Sequence, residues 1–188
     1  MRQKETLHQY LADARSVMVW KLDGLSEYEI RRPLTPHGTN LLGLVKHLSG
    51  CEIGYFGAVF GRPFPDPPAW LSSEVPDVDM WAQPDETREG ILDLYRRACA
   101  HADRTIRELE LDATGEVAPW PPERRHVTLQ QILVHMIAET SRHAGHADIL
   151  RELVDGSTGR LPTEERPADP GYWTALHTRI EAAAEGFR

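Results

Sequence analysis

Apolar residues recur three and four positions apart in four separate stretches of the chain, a period that predicts four long helices. In residues 4–22 the series is Leu7, Leu11, Ala14, Val17 and Met18, with Gly24 as the stop. In residues 41–60 it is Leu41, Leu44, Val45, Leu48, Tyr55, Phe56 and Val59, and Thr39 or Asn40 can cap the start. In residues 85–109 it is Ile91, Leu92, Leu94, Tyr95, Ala98 and Ile106, with Pro84 suited to the first turn. The longest series fills residues 129–153: Leu129, Ile132, Leu133, Met136, Ala147 and Leu150, reaching Val154. Thr128 with Gln131 gives a capping box, and Gly156 sits just past the end.

Residues 26–40 read as a connector punctuated by Pro33, Pro36 and Gly38. Residues 61–84 are rich in proline and tryptophan and long for a connection in a compact domain, which points to a functional loop or lid. The plainer reading is a loop that packs Trp70 and Trp81 over the helices. Residues 111–127 form a second loop around Trp120, and residues 157–168 an exposed linker. Asp169-Pro170 opens a short last helix over residues 171–184, whose Tyr172, Trp173, Leu176 and Ile180 could dock on the helices or on a second subunit. No stretch reads convincingly as a strand. The expected fold is therefore all-α: an up-down four-helix bundle over residues 1–155, then a linker and an additional short C-terminal helix over 156–188. Gly43, Gly50, Gly54 and Gly57 weaken the second helix and suggest close approach of a neighbouring helix or a ligand.

Composition narrows the partners. A net charge of -8 with no long basic cluster disfavours a nucleic-acid backbone. No apolar run approaches the roughly 20 residues that span a bilayer, and the first ten residues lack a secretory apolar segment. Two cysteines, Cys51 and Cys99, stand far apart in no paired motif, which suggests a reducing cytoplasm. Nine histidines raise the question of a metal.

The chemistry gathers on the longest helix. Glu139 and His143 lie one turn apart, with His143 near the centre of the apolar stripe and Glu139 roughly 40° from it. A carboxylate at a buried face is costly unless something meets it. The i, i+4 spacing suits two metal ligands, and a third should come from a facing helix, where His47 borders the apolar face beside Leu44 and Cys51. Two nitrogens and one carboxylate oxygen leave a tetrahedral zinc ion one open position. A solvated polar face is the commoner meaning of a Glu-x3-His pair. His146, roughly 60° from His143, could be a ligand, a supporting donor, a proton carrier or a polar residue at the core margin. His135 is the poorer rival, and Cys51 is a soft ligand or an inert buried thiol. His8, His37, His101, His126 and His177 fall on apparent surface or loops.

GLVKHLSGCE on the second helix and HMIAETSRHAGHADILRE on the fourth, in that order and separation, resemble the DinB-like superfamily of four-helix metalloproteins, in its branch similar to mycothiol S-transferases. The resemblance covers residues 1–155. It implies a metal held by His47, Glu139 and His143: zinc foremost, with nickel, manganese or iron also admissible. Many relatives carry histidine where Glu139 stands, and the glutamate version resembles the mycothiol-dependent maleylpyruvate isomerase branch, so harder ions are admitted. The implied reaction is transfer of a low-molecular-weight thiol to an electrophilic small molecule, with His146 or another base taking the thiol proton. A homodimer fits related bundles. A metal-dependent hydrolase or isomerase is the rival within the same site, and a non-catalytic metal-binding or interaction bundle is the rival outside it.

Overall fold

The computed structural model describes residues 3–162, 164 and 169–188; part of the linker expected over 157–168 thus lies outside the described residues. Six helices and one small hairpin are present among them: α1 (Gln3–Trp20), α2 (Glu27–Arg31), α3 (Leu41–Phe56), α4 (Arg88–Glu108), β1 (Thr114–Glu116), β2 (His126–Thr128), α5 (Leu129–Asp155) and α6 (Pro170–Glu185). Helices α1, α3, α4 and α5 form the expected all-α bundle.

Two apolar layers fix the helix directions. One holds Met18 and Leu22 of α1 and its following turn, Leu41 to Leu48 of α3, Ile91 and Tyr95 of α4, and Ala147 and Leu150 of α5. The other holds Leu11, Phe56, Ala102 and Ile106, with Leu129, Ile132, Leu133 and Met136. Each helix enters at one layer and leaves at the other, and the order of its residues gives up, down, down, up, which refines the up-down expectation. The parallel neighbours α3 and α4 require a return along the bundle. Residues 57–87 supply it, which is why that connection is long.

This return segment lies tightly on α3. A Cβ on Gly43 would stand 1.9 Å from the Met80 carbonyl oxygen, so only glycine admits the loop there. Asn40, the α3 cap, also donates to that carbonyl at 3.0 Å. The fully buried Lys46 donates to the Val78 and Trp81 carbonyls at 2.8 and 3.1 Å and pairs with Glu86 at 2.7 Å. A buried ammonium is costly unless its donors are filled, and here all three are. Trp70 is half-buried against this helix, while Trp81 is largely exposed.

Three details depart from the sequence expectation. The 26–40 connector contains α2, started by a capping box between Ser26 and Glu29. The 111–127 loop contains an antiparallel hairpin with Gly115 opposite Val127. His101, expected at the surface, is buried, with Nε2 at 2.8 Å from the Arg62 carbonyl and its ring against Phe64. The tail helix α6 does form, capped by Asp169, but none of its described side chains is buried.

One ion-pair network crosses the bundle. Arg15 of α1 donates to both carboxylate oxygens of Glu52 on α3, at 2.7 and 2.6 Å, and to Asp103 on α4 at 2.7 Å. His8 also reaches Asp103 at 2.8 Å.

Candidate metal centre

The pairing of α3 with α5 sets Glu139 against both His47 and His143, whereas among the described residues the trio with mutually close ligand atoms is His47, Cys51 and Glu139. Glu139 Oε1 lies 3.0 Å from His143 Nε2 and 3.4 Å from His47 Nε2, so one carboxylate oxygen faces two imidazoles. The two rings stand 5.0 Å apart, edge to face. Cys51, one turn along α3, places Sγ 3.5 Å from His47 Nε2. Ligand atoms of His47, Cys51 and Glu139 all fall within 4.8 Å of one another. For ligands at about 2.0 Å from a tetrahedral ion, donor atoms sit roughly 3.3 Å apart, close to the two separations around Glu139.

His47 is oriented from behind. Its Nδ1 lies 2.7 Å from Asp79 Oδ2, on the return segment. A carboxylate only accepts, so Nδ1 carries the proton, which leaves Nε2 aimed at Glu139 as a donor when the ring is charged and as a lone pair when it is neutral. That contact is satisfied by a proton on Nε2 or by a cation held between the two atoms. A carboxylate behind a ligating histidine is the usual support of a metal site. Asp79 was missed from the sequence because a loop residue has no periodicity, and only the fold places it against a helix residue 32 positions away.

His146 Nδ1 lies 3.4 Å from His143 Nδ1. One of these nitrogens can donate to the other, and donation from His143 leaves its Nε2 free to ligate. Burial, then the nearby His47 charge, pushes the His143 pKa below its ordinary value, favouring the neutral ring a metal needs. Burial alone would raise the Glu139 carboxyl. The hydrogen bond with His47 and the charge of His143 outweigh it and hold the group below the ordinary carboxylate range. Burial, reinforced by Glu139 and Glu52, pushes the Cys51 thiol up to about 12, so without a cation it stays protonated. His135 does not join the cluster. It packs edge-on against Tyr55 and Trp120, with ring centroids 4.6 and 5.1 Å away.

Beside His47 and Cys51 opens a cavity of about 510 Å³. Gly50 and Gly54 of α3 line one side, Trp70, Leu71 and Val78 of the return segment cover another, and Val117 and Pro119 of the hairpin region close a third. The loop expected to shield the site thus forms one of its walls and also supplies Asp79. Among the described residues no helix is long and apolar enough to cross a membrane.

No curated protein matches the chain. A family model described as Mycothiol-S-transferase matches residues 6–156, the span that carries the bundle, His47, Asp79, Glu139, His143 and His146. With four-fifths of its length covered by that model, the chain belongs to the mycothiol-S-transferase family.

Proposed function

We propose that this protein is a divalent-metal thiol S-transferase, with His47, Glu139 and His143 as the metal ligands and zinc as the best-matched ion. The observation that carries this reading is the placement of Glu139 Oε1 between two imidazole nitrogens, with His47 locked by Asp79. A bound divalent cation would lower the pKa of a thiol at its open position, so that a thiolate exists near neutral pH. The family points to mycothiol as that thiol.

The chain's own residues do the rest. Asp79 fixes the ring of His47, and His146 holds the tautomer of His143. His146 is the half-buried non-ligating imidazole beside the cluster, and we assign it the thiol proton. The thiolate sulfur forms a bond to carbon of the electrophile. The displaced electron pair leaves with a leaving group, or takes up a proton where the carbon belongs to a double bond. The cavity beside Cys51 holds the electrophile near the sulfur, and its apolar walls limit competition from water.

The direct test supplies metal-loaded protein with a thiol and a panel of electrophiles and follows the S-conjugate. Thiol-dependent conjugate formation that disappears in Glu139→Ala is expected. Consumption of the electrophile at a rate indifferent to thiol would instead identify water as the nucleophile and the protein as a hydrolase. For His146→Gln, the expected result is a lower rate with an altered pH profile, and an unchanged profile removes the proton-carrier role.

A further inference from the structure

The wall chemistry of the cavity beside His47 selects its occupant. Among the described residues that line it, no lysine or arginine appears. The charged groups are two carboxylates: Asp79 beside His47, and Glu116 on the hairpin. Two cations lie behind the walls and both are matched: Lys46, packed on Trp70, pairs with Glu86 at 2.7 Å, and Arg125 sits 3.5 Å from Glu116. The remaining surface is mostly apolar, built from Trp70, Leu71, Val75, Val78 and Val117 with the ring of Tyr55. Small-molecule pockets run to roughly 300–1,000 Å³ and bind through such walls with a few polar anchors. This one has the size for an aromatic or branched apolar body.

A carboxylate entering here would find no counter-charge. Whatever charge a divalent ion brings is met by Glu139 and by the incoming thiolate, so it does not compensate a second anion. Asp79 and Glu116 are already paired with His47 and Arg125, so an anion entering here loses its water without gaining a counter-ion. Gly54 marks where the occupant sits. A Cβ there meets nothing within 4 Å, whereas one on Gly50 would meet Trp70 and Leu71 at 3.3 Å. The helix surface at Gly54 is therefore open floor.

Resting on the transferase reading above, we propose that this cavity is the electrophile subsite, and that it takes uncharged, largely apolar molecules and rejects carboxylates. Its substrates are neutral aromatic or alkyl electrophiles rather than small organic acids.

The test uses two unreactive probes of one shape, 2-naphthol and 2-naphthoate, bound to the full-length metal-loaded protein saturated with 2-mercaptoethanol, so that a thiolate fills the open position, and followed by tryptophan fluorescence and calorimetry. Naphthol is expected to bind at least about tenfold more tightly than naphthoate, because only the anion is desolvated there without a free counter-charge. Glu116→Gln, which frees Arg125, is expected to narrow that gap. Gly54→Leu fills the floor and is expected to abolish naphthol binding while circular dichroism and metal content stay as in the parent. Equal or tighter naphthoate binding overturns the selectivity, and naphthol binding that survives Gly54→Leu overturns the location. Neither measurement needs turnover. A protein that discriminates the probes but transfers no thiol contradicts only the transferase reading, and one that transfers thiol to carboxylates in preference contradicts only this inference.

Discussion

Among single residues, Asp79 and Arg15 bear the sharpest consequences. Asp79 accepts from His47 Nδ1, and loss of such a supporting carboxylate typically weakens metal binding about tenfold to a hundredfold. Asp79→Asn should show that loss in a chelator competition while its thermal unfolding without metal changes little. Arg15→Ala leaves Glu52, whose side chain is 1% exposed, charged and unpaired, and should cost about 3–5 kcal/mol in denaturant unfolding. Asp103 gives a pH signature. Burial alone would raise its carboxyl, but the charge of Arg15 and the hydrogen bonds from His8 and Arg15 hold it below the ordinary range. A depressed native pKa contributes stability that is complete above the unfolded-state value, about 3.9, and fades as pH falls through the native one. Asp103→Asn should therefore lower the melting temperature at neutral pH, and parent and variant should converge in acid. A difference that stays constant with pH would place the effect in packing rather than charge.

At the scale of elements, the return segment over residues 57–87 and α3 act as one unit. Two glycines one face apart separate its roles. Gly43→Ala drives a methyl into the Met80 carbonyl, one residue from Asp79, and should weaken metal binding along with the fit of the loop. Gly54→Ala meets open space, and helix propensity alone should stabilise the fold by about 0.5–1 kcal/mol. Thermal melts and metal titrations on both variants check the contrast. The four long helices were legible because a buried stripe imposes a helical period on Leu, Ile and Val. The capping box of Thr128 and Gln131 set the start of α5 at the right residue. His143, predicted at the centre of the stripe, is indeed buried, and the predicted facing residue, His47, stands across from it. The short α2 and the three-residue strands were not legible. Elements of one turn, or of three residues, are shorter than the window over which a period can be read. His101 escaped for a similar reason: it is buried by Phe64 and by the Arg62 carbonyl, both on the loop rather than on a helix.

For the whole molecule, the number of long helices followed from the pattern, but helix direction depended on how the connections travel. Parallel α3 and α4 can be joined only by a chain that climbs back along the bundle, and that chain brings Asp79 and Trp70 to the site. Composition and period contain neither fact. The tail is a separate matter. With no described side chain of α6 buried, ending the chain at residue 162 should leave the melting temperature of the bundle nearly unchanged. A large fall would show that α6 stabilises it through contacts in an assembly.

Everything proposed for catalysis depends on one cation shared between α3 and α5. The most direct measurement is the stoichiometry of bound divalent metal, by elemental analysis after equilibration with zinc, for the parent chain, Glu139→Ala and His143→Ala. One ion per chain in the parent, lost from both variants while their helical content persists, is the predicted result. A parent without stoichiometric metal, or variants that retain it, would contradict the metal centre and leave the bundle as a helical scaffold.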